Sequence, residues 1–98
     1  MRVTFANAHL ERCYLNSSLA VREWGSHVAA RYIGRVDLVA DAKTLRDVAL
    51  VRSVRLHPLK GDRRGQYALA LTDRWRLVIV LLDDDSVRVE EVTNHYDD

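Results

Sequence analysis

The residues best suited to chemistry in this chain lie between Leu56 and Leu82 and at its C-terminal end. A polar loop from His57 to Gly65 carries an imidazole, the Lys60 ammonium and the guanidiniums of Arg63 and Arg64. Arg74 and Arg76 stand at the entry of the apolar run Trp75 to Leu82, and His95 and Tyr96 follow the last apolar run. Reactive groups on a loop held by a rigid sheet are a common form of functional site. A histidine titrates near neutrality and can take or give a proton. Guanidinium and ammonium groups stabilise charge that develops on phosphoryl oxygens. Together they suit metal-free cleavage of RNA: one group removes the 2′-OH proton, the 2′-oxygen attacks the adjacent phosphorus, and another group protonates the departing 5′-oxygen.

Other chemistries find less support. Cys13 is the single cysteine, so no internal disulfide forms, and it reads as an inert packing residue. The four histidines have no metal-ligand spacing, and no glycine-rich nucleotide motif is present, so neither a metal nor another cofactor is expected. Net charge is only +1, yet it is segregated. Arg52 to Arg76 holds seven basic residues against two acidic ones (+5), whereas Asp83 to Asp98 holds one against seven (−6). Such a patch can bind a polyanion at one face, or can pair with the acidic end of the chain. Each residue also has a purely structural role open to it. His57 can serve a turn, Arg76 an internal ion pair, Tyr67 packing on a helix, and the loop cations solvation.

The elements that must position these groups follow from periodicity and punctuation. Met1 to Phe5 alternates as an opening strand. Asn7 can cap a helix to about Leu15, Ser17 or Ser18 starts a piece ending at Trp24, and Gly25 suits its C-terminal end. Ser26 is then expected to cap a longer helix from His27 to about Ala42. That helix has Val28, Ala29, Tyr32, Ile33, Val36, Val39 and Ala40 at helical spacing, with Arg31, Arg35 and Asp41 largely opposite. Thr44 to Val51 reads as a short helix or turn and Ser53 to Leu56 as a short strand. Pro58 biases His57 towards extended geometry. Gly61 and Gly65 bracket a tight turn. Gln66 to Thr72 alternates, and Trp75 to Leu82 is apolar on both faces except for Arg76, the mark of a central strand. Val87 to Thr93 is the last strand. Trp24 and Trp75 read as packing residues.

The expected architecture is one α+β domain over residues 1–98, with helices on one face of a largely antiparallel sheet of four to five strands. Antiparallel pairing of the last two strands would bring Asn94 to Tyr96 near Arg74 to Arg76, with the His57 loop closing a third side. No apolar run approaches the roughly 20 residues of a membrane span, and no signal-peptide core is evident, which points to a soluble cytoplasmic protein.

The motif His57-Pro58-Leu59-Lys60-Gly61-Asp62-Arg63-Arg64-Gly65-Gln66-Tyr67, followed by Arg74-Trp75-Arg76-Leu77 and Glu90-Glu91-Val92-Thr93-Asn94-His95-Tyr96, resembles the HigB branch of the RelE/ParE toxin superfamily. The resemblance spans essentially the whole chain, more loosely in its first half. It implies a RelE-like fold and a bacterial type II toxin that cleaves mRNA in the ribosomal A site. It also implies a HigA-like helix-turn-helix antitoxin that neutralises the toxin and carries the pair to operator DNA. On this resemblance His57, Lys60, Arg76, His95 and Tyr96 are candidate catalytic residues. Arg63, Arg64, Tyr67, Arg74 and Asn94 are candidate RNA-binding residues. One departure stands out: many HigB-type toxins end in Asp-Tyr-His, whereas this chain has Asn94-His95-Tyr96. Successive strand residues face opposite ways, so exchanging the two rings changes where the imidazole points. The alternatives are a ParE-like gyrase inhibitor, or a binding module that holds an acidic partner without cutting RNA.

Overall fold

A computed structural model of the protein describes residues 1–94. The sheet grows from the stretch Trp75 to Leu82, whose strand β4 (Arg76–Asp83) is central in the order β1-β5-β4-β3-β2. Strands β3 (Gln66–Ala70) and β5 (Ser86–Thr93) flank β4 and run antiparallel to it. β2 is only His57–Pro58, antiparallel to β3, while β1 (Arg2–Phe5) lies parallel to β5. The α+β expectation therefore holds with five strands, and the single parallel pair joins the two ends of the described chain.

Capping chemistry sets the helices. Asn7 accepts from Leu10 N at 2.9 Å and opens α1 (Ala8–Leu15). Asn16 accepts from Ser18 N at 3.0 Å and opens α2 (Ser17–Trp24), so the break residue is itself the cap. Thr44 does the same for the short α4 (Leu45–Ala49), accepting from Asp47 N at 3.3 Å. These bonds satisfy main-chain donors that a helix start leaves open. The expected Ser26 cap is not seen. Ser26 is already helical in α3 (Ser26–Asp41), and Gly25, at φ +84°, supplies the corner between α2 and α3 without a side-chain bond.

The apolar face of α3, with Val28, Ala29, Tyr32, Val36 and Val39, packs with Leu69, Leu71, Leu77, Ile79, Val87 and Val89 in one core. Trp24, Trp75 and Tyr67 pack against that core, as expected for the tryptophans. Gly34 lies in the middle of α3 with nothing within 4 Å of where a Cβ would stand. A helical glycine costs about 0.5–1 kcal/mol relative to alanine. Gly34→Ala should therefore raise the thermal midpoint by several degrees, read by circular dichroism.

The expected strand at Ser53 to Leu56 is a correction. Arg52–Val54 forms a 3-10 turn, and Arg55 closes it in the left-handed region at φ 53°. A left-handed residue ends any extended run, so the strand begins only at His57. Among the described residues no helix is long and apolar enough to cross a membrane.

Candidate active site on the helix-free face

Strand register decides which side chains share a face, because directly opposed residues project together. His57 opposes Ala68, Ala68 opposes Val78, and Val78 opposes Glu91, giving one row across β2, β3, β4 and β5. The adjacent row on the same face is Ala70, Arg76 and Thr93. Both rows lie opposite the helices, since the alternate residues Leu69, Leu77 and Ile79 enter the helix-side core. His57 and Arg76 thus sit on one face, two strand spacings apart (about 10 Å) and one alternate-residue step along. The end of β5, Thr93, stands directly beside Arg76, and Asn94 follows it, exposed. The expected pairing of the last two strands is what places them there. His95 and Tyr96 lie outside the described residues.

Local bonds fix the orientation of the two principal groups. His57 Nδ1 lies 3.1 Å from Arg55 O, and a carbonyl can only accept, so Nδ1 carries the proton. In the neutral ring the lone pair is then on Nε2, which is shielded from solvent. The left-handed turn at Arg55 is what aims its carbonyl back at the ring two residues on. Arg76 is only 5% exposed. Its Nη1 donates to Thr72 O at 2.7 Å and to Trp75 O at 3.0 Å, so the carbonyls of the β3–β4 turn hold the guanidinium.

The loop residues separate into different roles. Lys60, Arg64 and Arg74 are exposed. Arg63 instead reaches across to Glu91, forming an ion pair at 2.5 Å, and donates through Nε to Gln66 Oε1 at 3.2 Å. Glu91 ends the row that starts at His57, so this bridge closes over the same face and occupies the Arg63 charge. Tyr67 opposes Pro58 and Ile79 and packs against the helix-side core, on the other side of the sheet from His57 and Arg76. The period-2 alternation that grouped Tyr67 with Leu69 and Leu71 already carried that information. Sequence reasoning did not single out Glu91; an acid on the strand face opposite the basic loop was the available signal.

Among the described residues, groups elsewhere offer no competing chemistry. Cys13 is fully buried, and burial, followed by the nearby Glu23 charge, pushes its thiol pKa up, so the thiol stays protonated and unreactive. His9 Nε2 meets both Cys13 Sγ (3.8 Å) and Glu23 Oε1 (2.7 Å), and a relay would need two different ring nitrogens. A cleft of about 230 Å³ between the α1–α2 region and β5 is lined by Glu23, Trp24, Glu90 and Glu91, but its carboxylates are already paired with His9, Arg88 and Arg63. No group of three or more metal-ligating side chains occurs among the described residues.

No family model and no curated protein sequence matches this chain. Solved structures do match in shape. The chain is similar to a chain of the YoeB–YefM complex from Staphylococcus aureus, with 18% identity, 98% of each chain covered and a TM-score of 0.64. It is similar to YafQ from E. coli strain BL21(DE3), with 17% identity over 96% of this chain and 93% of that one and a TM-score of 0.61. A YoeB/ParE toxin from Agrobacterium tumefaciens shares 16% identity, covering 98% of this chain and all of its own, with a TM-score of 0.58. At these identities the likeness establishes the fold alone, the α+β arrangement shared with these structures.

Proposed function

We propose that this protein is the toxin of a bacterial type II toxin–antitoxin pair and acts as an endoribonuclease on mRNA in the ribosomal A site. The observation that carries the reading is the shared helix-free face. His57 and Arg76 project from it in adjacent rows, and the end of β5 lies directly beside Arg76. The fold likeness to a YoeB/ParE toxin and to a YoeB–YefM complex supports the same class. The motif around His57 favours the HigB branch within it.

In this reading Nε2 of His57 takes the 2′-OH proton once RNA binding has uncovered it from the shielded position it holds here, since Nδ1 is committed to Arg55 O. The 2′-oxygen then bonds to phosphorus and the bond to the 5′-oxygen breaks. His95 or Tyr96 returns a proton to that leaving oxygen, giving a 2′,3′-cyclic phosphate and a 5′-hydroxyl end. Arg76 and Lys60 stabilise charge on the non-bridging oxygens, as fixed cations do most effectively where water is excluded. No step calls on a metal ion. Arg64, Arg74 and Asn94 hold the flanking backbone, and Arg63 joins them if phosphate displaces Glu91. The protein works in the cytoplasm, where a HigA-like antitoxin neutralises it and links it to operator DNA.

The test is expression from a tight inducible promoter, with and without the neighbouring antitoxin gene, followed by growth curves and mapping of mRNA 5′ ends. Growth arrest with new in-frame cuts, relieved by the antitoxin, is the expected result. Arrest with intact mRNA would overturn the nuclease mechanism and favour a gyrase-directed, ParE-like toxin. Accumulation of folded protein without arrest would overturn the toxin reading itself.

A further inference from the structure

Three consecutive carbonyls at the end of β3 each receive a guanidinium. Arg35 Nε donates to Ala70 O at 3.1 Å, Arg31 Nη1 to Leu71 O at 3.4 Å, and Arg76 Nη1 to Thr72 O at 2.7 Å. Arg76 arrives from the helix-free face, whereas Arg31 and Arg35 come from α3 on the opposite layer. The β3–β4 turn is therefore a corner around which positive charge continues from one side of the sheet to the other. Arg74 is exposed in that turn. Arg35 Nη2 also donates to Ser53 O at 3.4 Å, which brings the exposed Arg52 and Arg55 alongside.

Arg31 and Arg35 are one helical turn apart and pair with no carboxylate among the described residues. Burial, and to a lesser extent the nearby Arg31 charge, lowers the Arg35 pKa. Carbonyl dipoles orient the two forks but cancel little of their charge. A surface of this kind gains most from a polyanion.

We propose that single-stranded RNA bound on the helix-free face continues around the β3–β4 turn, where Arg31 and Arg35 grip phosphates flanking the cleavage point. This rests on the nuclease reading of that face. RNA is favoured over an acidic protein segment because the ridge is continuous with Arg76, so a single polyanion can occupy both.

The experiment is fluorescence polarisation of a labelled, fully 2′-O-methylated RNA dodecamer, which cannot be cut, titrated at several salt concentrations. The proteins are wild type, Arg31→Gln, Arg31→Gln/Arg35→Gln, and Arg12→Gln on the exposed surface of α1 as a control. Each lost phosphate contact flattens the slope of log affinity against log salt by roughly 0.7, so the double variant should lose roughly 1.4. Its affinity should fall about tenfold at low salt, with the Arg12 variant unchanged. Thermal melts accompany each variant, and if Arg35→Gln destabilises the fold the exposed Arg31 variant decides.

Wild-type affinity and slope in Arg31→Gln would overturn the ridge even if the protein cuts message in cells. Failure of the wild type to bind the dodecamer would overturn it too. A labelled polyglutamate peptide is titrated in parallel as the acidic-segment probe, and variants that keep RNA binding but lose binding of that peptide would overturn the ridge as well. Conversely, a wild type that cuts no message yet binds RNA through Arg31 would remove the nuclease reading and leave the ridge standing.

Discussion

Arg76→Ala is expected to lower mRNA cleavage by about 100- to 1000-fold, the loss seen when one fixed donor to a developing oxyanion is removed. Arg76 also has a structural duty, because Nη1 holds Thr72 O and Trp75 O. Losing bonds from a charged donor costs about 1.5–3 kcal/mol, so part of any activity loss could come from a less stable turn. Cleavage per folded molecule separates the two contributions. The variant is assayed well below its melting midpoint, beside Arg76→Lys, which keeps the charge and loses the planar fork. The expected order is wild type, then lysine, then alanine, with alanine near background although folded. An alanine variant that cuts within threefold of wild type when folded would reduce Arg76 to a brace for the turn.

The largest effect on stability is expected at Tyr32. Its ring is fully buried, stands 4.9 Å from Trp24 in an edge-on contact, and its hydroxyl donates to Leu10 O at 2.8 Å. One side chain thus joins α1, α2 and α3. Replacing a large buried aromatic with alanine costs about 3–5 kcal/mol, a large part of the roughly 5–15 kcal/mol that holds a domain together. Tyr32→Ala should leave little folded protein at 37 °C. Tyr32→Phe removes only the hydrogen bond and should cost about 1 kcal/mol. Denaturant melts of both variants check this. A phenylalanine variant as damaged as the alanine one would move the weight from packing to the hydroxyl.

Tyr32 also sets a pH window. Burial, more than the neighbouring Cys13 and Tyr14, pushes its phenol pKa well above 10. The folded state therefore holds this proton more tightly than the unfolded chain does. The contribution is complete below about pH 10 and declines as pH rises past it, because the unfolded phenol ionises first. Stability near neutral pH should not vary through this group.

The chain determined by itself whatever depends on neighbours in sequence. Asn7 announced its helix because a short polar side chain bonds a main-chain donor three residues ahead. Gly61 and Gly65 marked the loop because φ of 66° and 88° suits a residue without Cβ. The alternation through Tyr67, Leu69 and Leu71 and the apolar density of Trp75 to Leu82 reported faces and burial. From these came the α+β class, the antiparallel β4–β5 pair and the placing of Arg76 beside the end of the last strand. Ser53 to Leu56 was misread because its composition suits a strand, whereas its ends are fixed by Arg35 bonding Ser53 O and by the left-handed Arg55. Tertiary structure alone decided the rest. The parallel seating of β1 on β5, the Arg63–Glu91 bridge, and the docking of Arg31 and Arg35 on β3 join residues 28 to 84 positions apart. Local periodicity says which face a side chain takes, but only the packed sheet says what stands across from it.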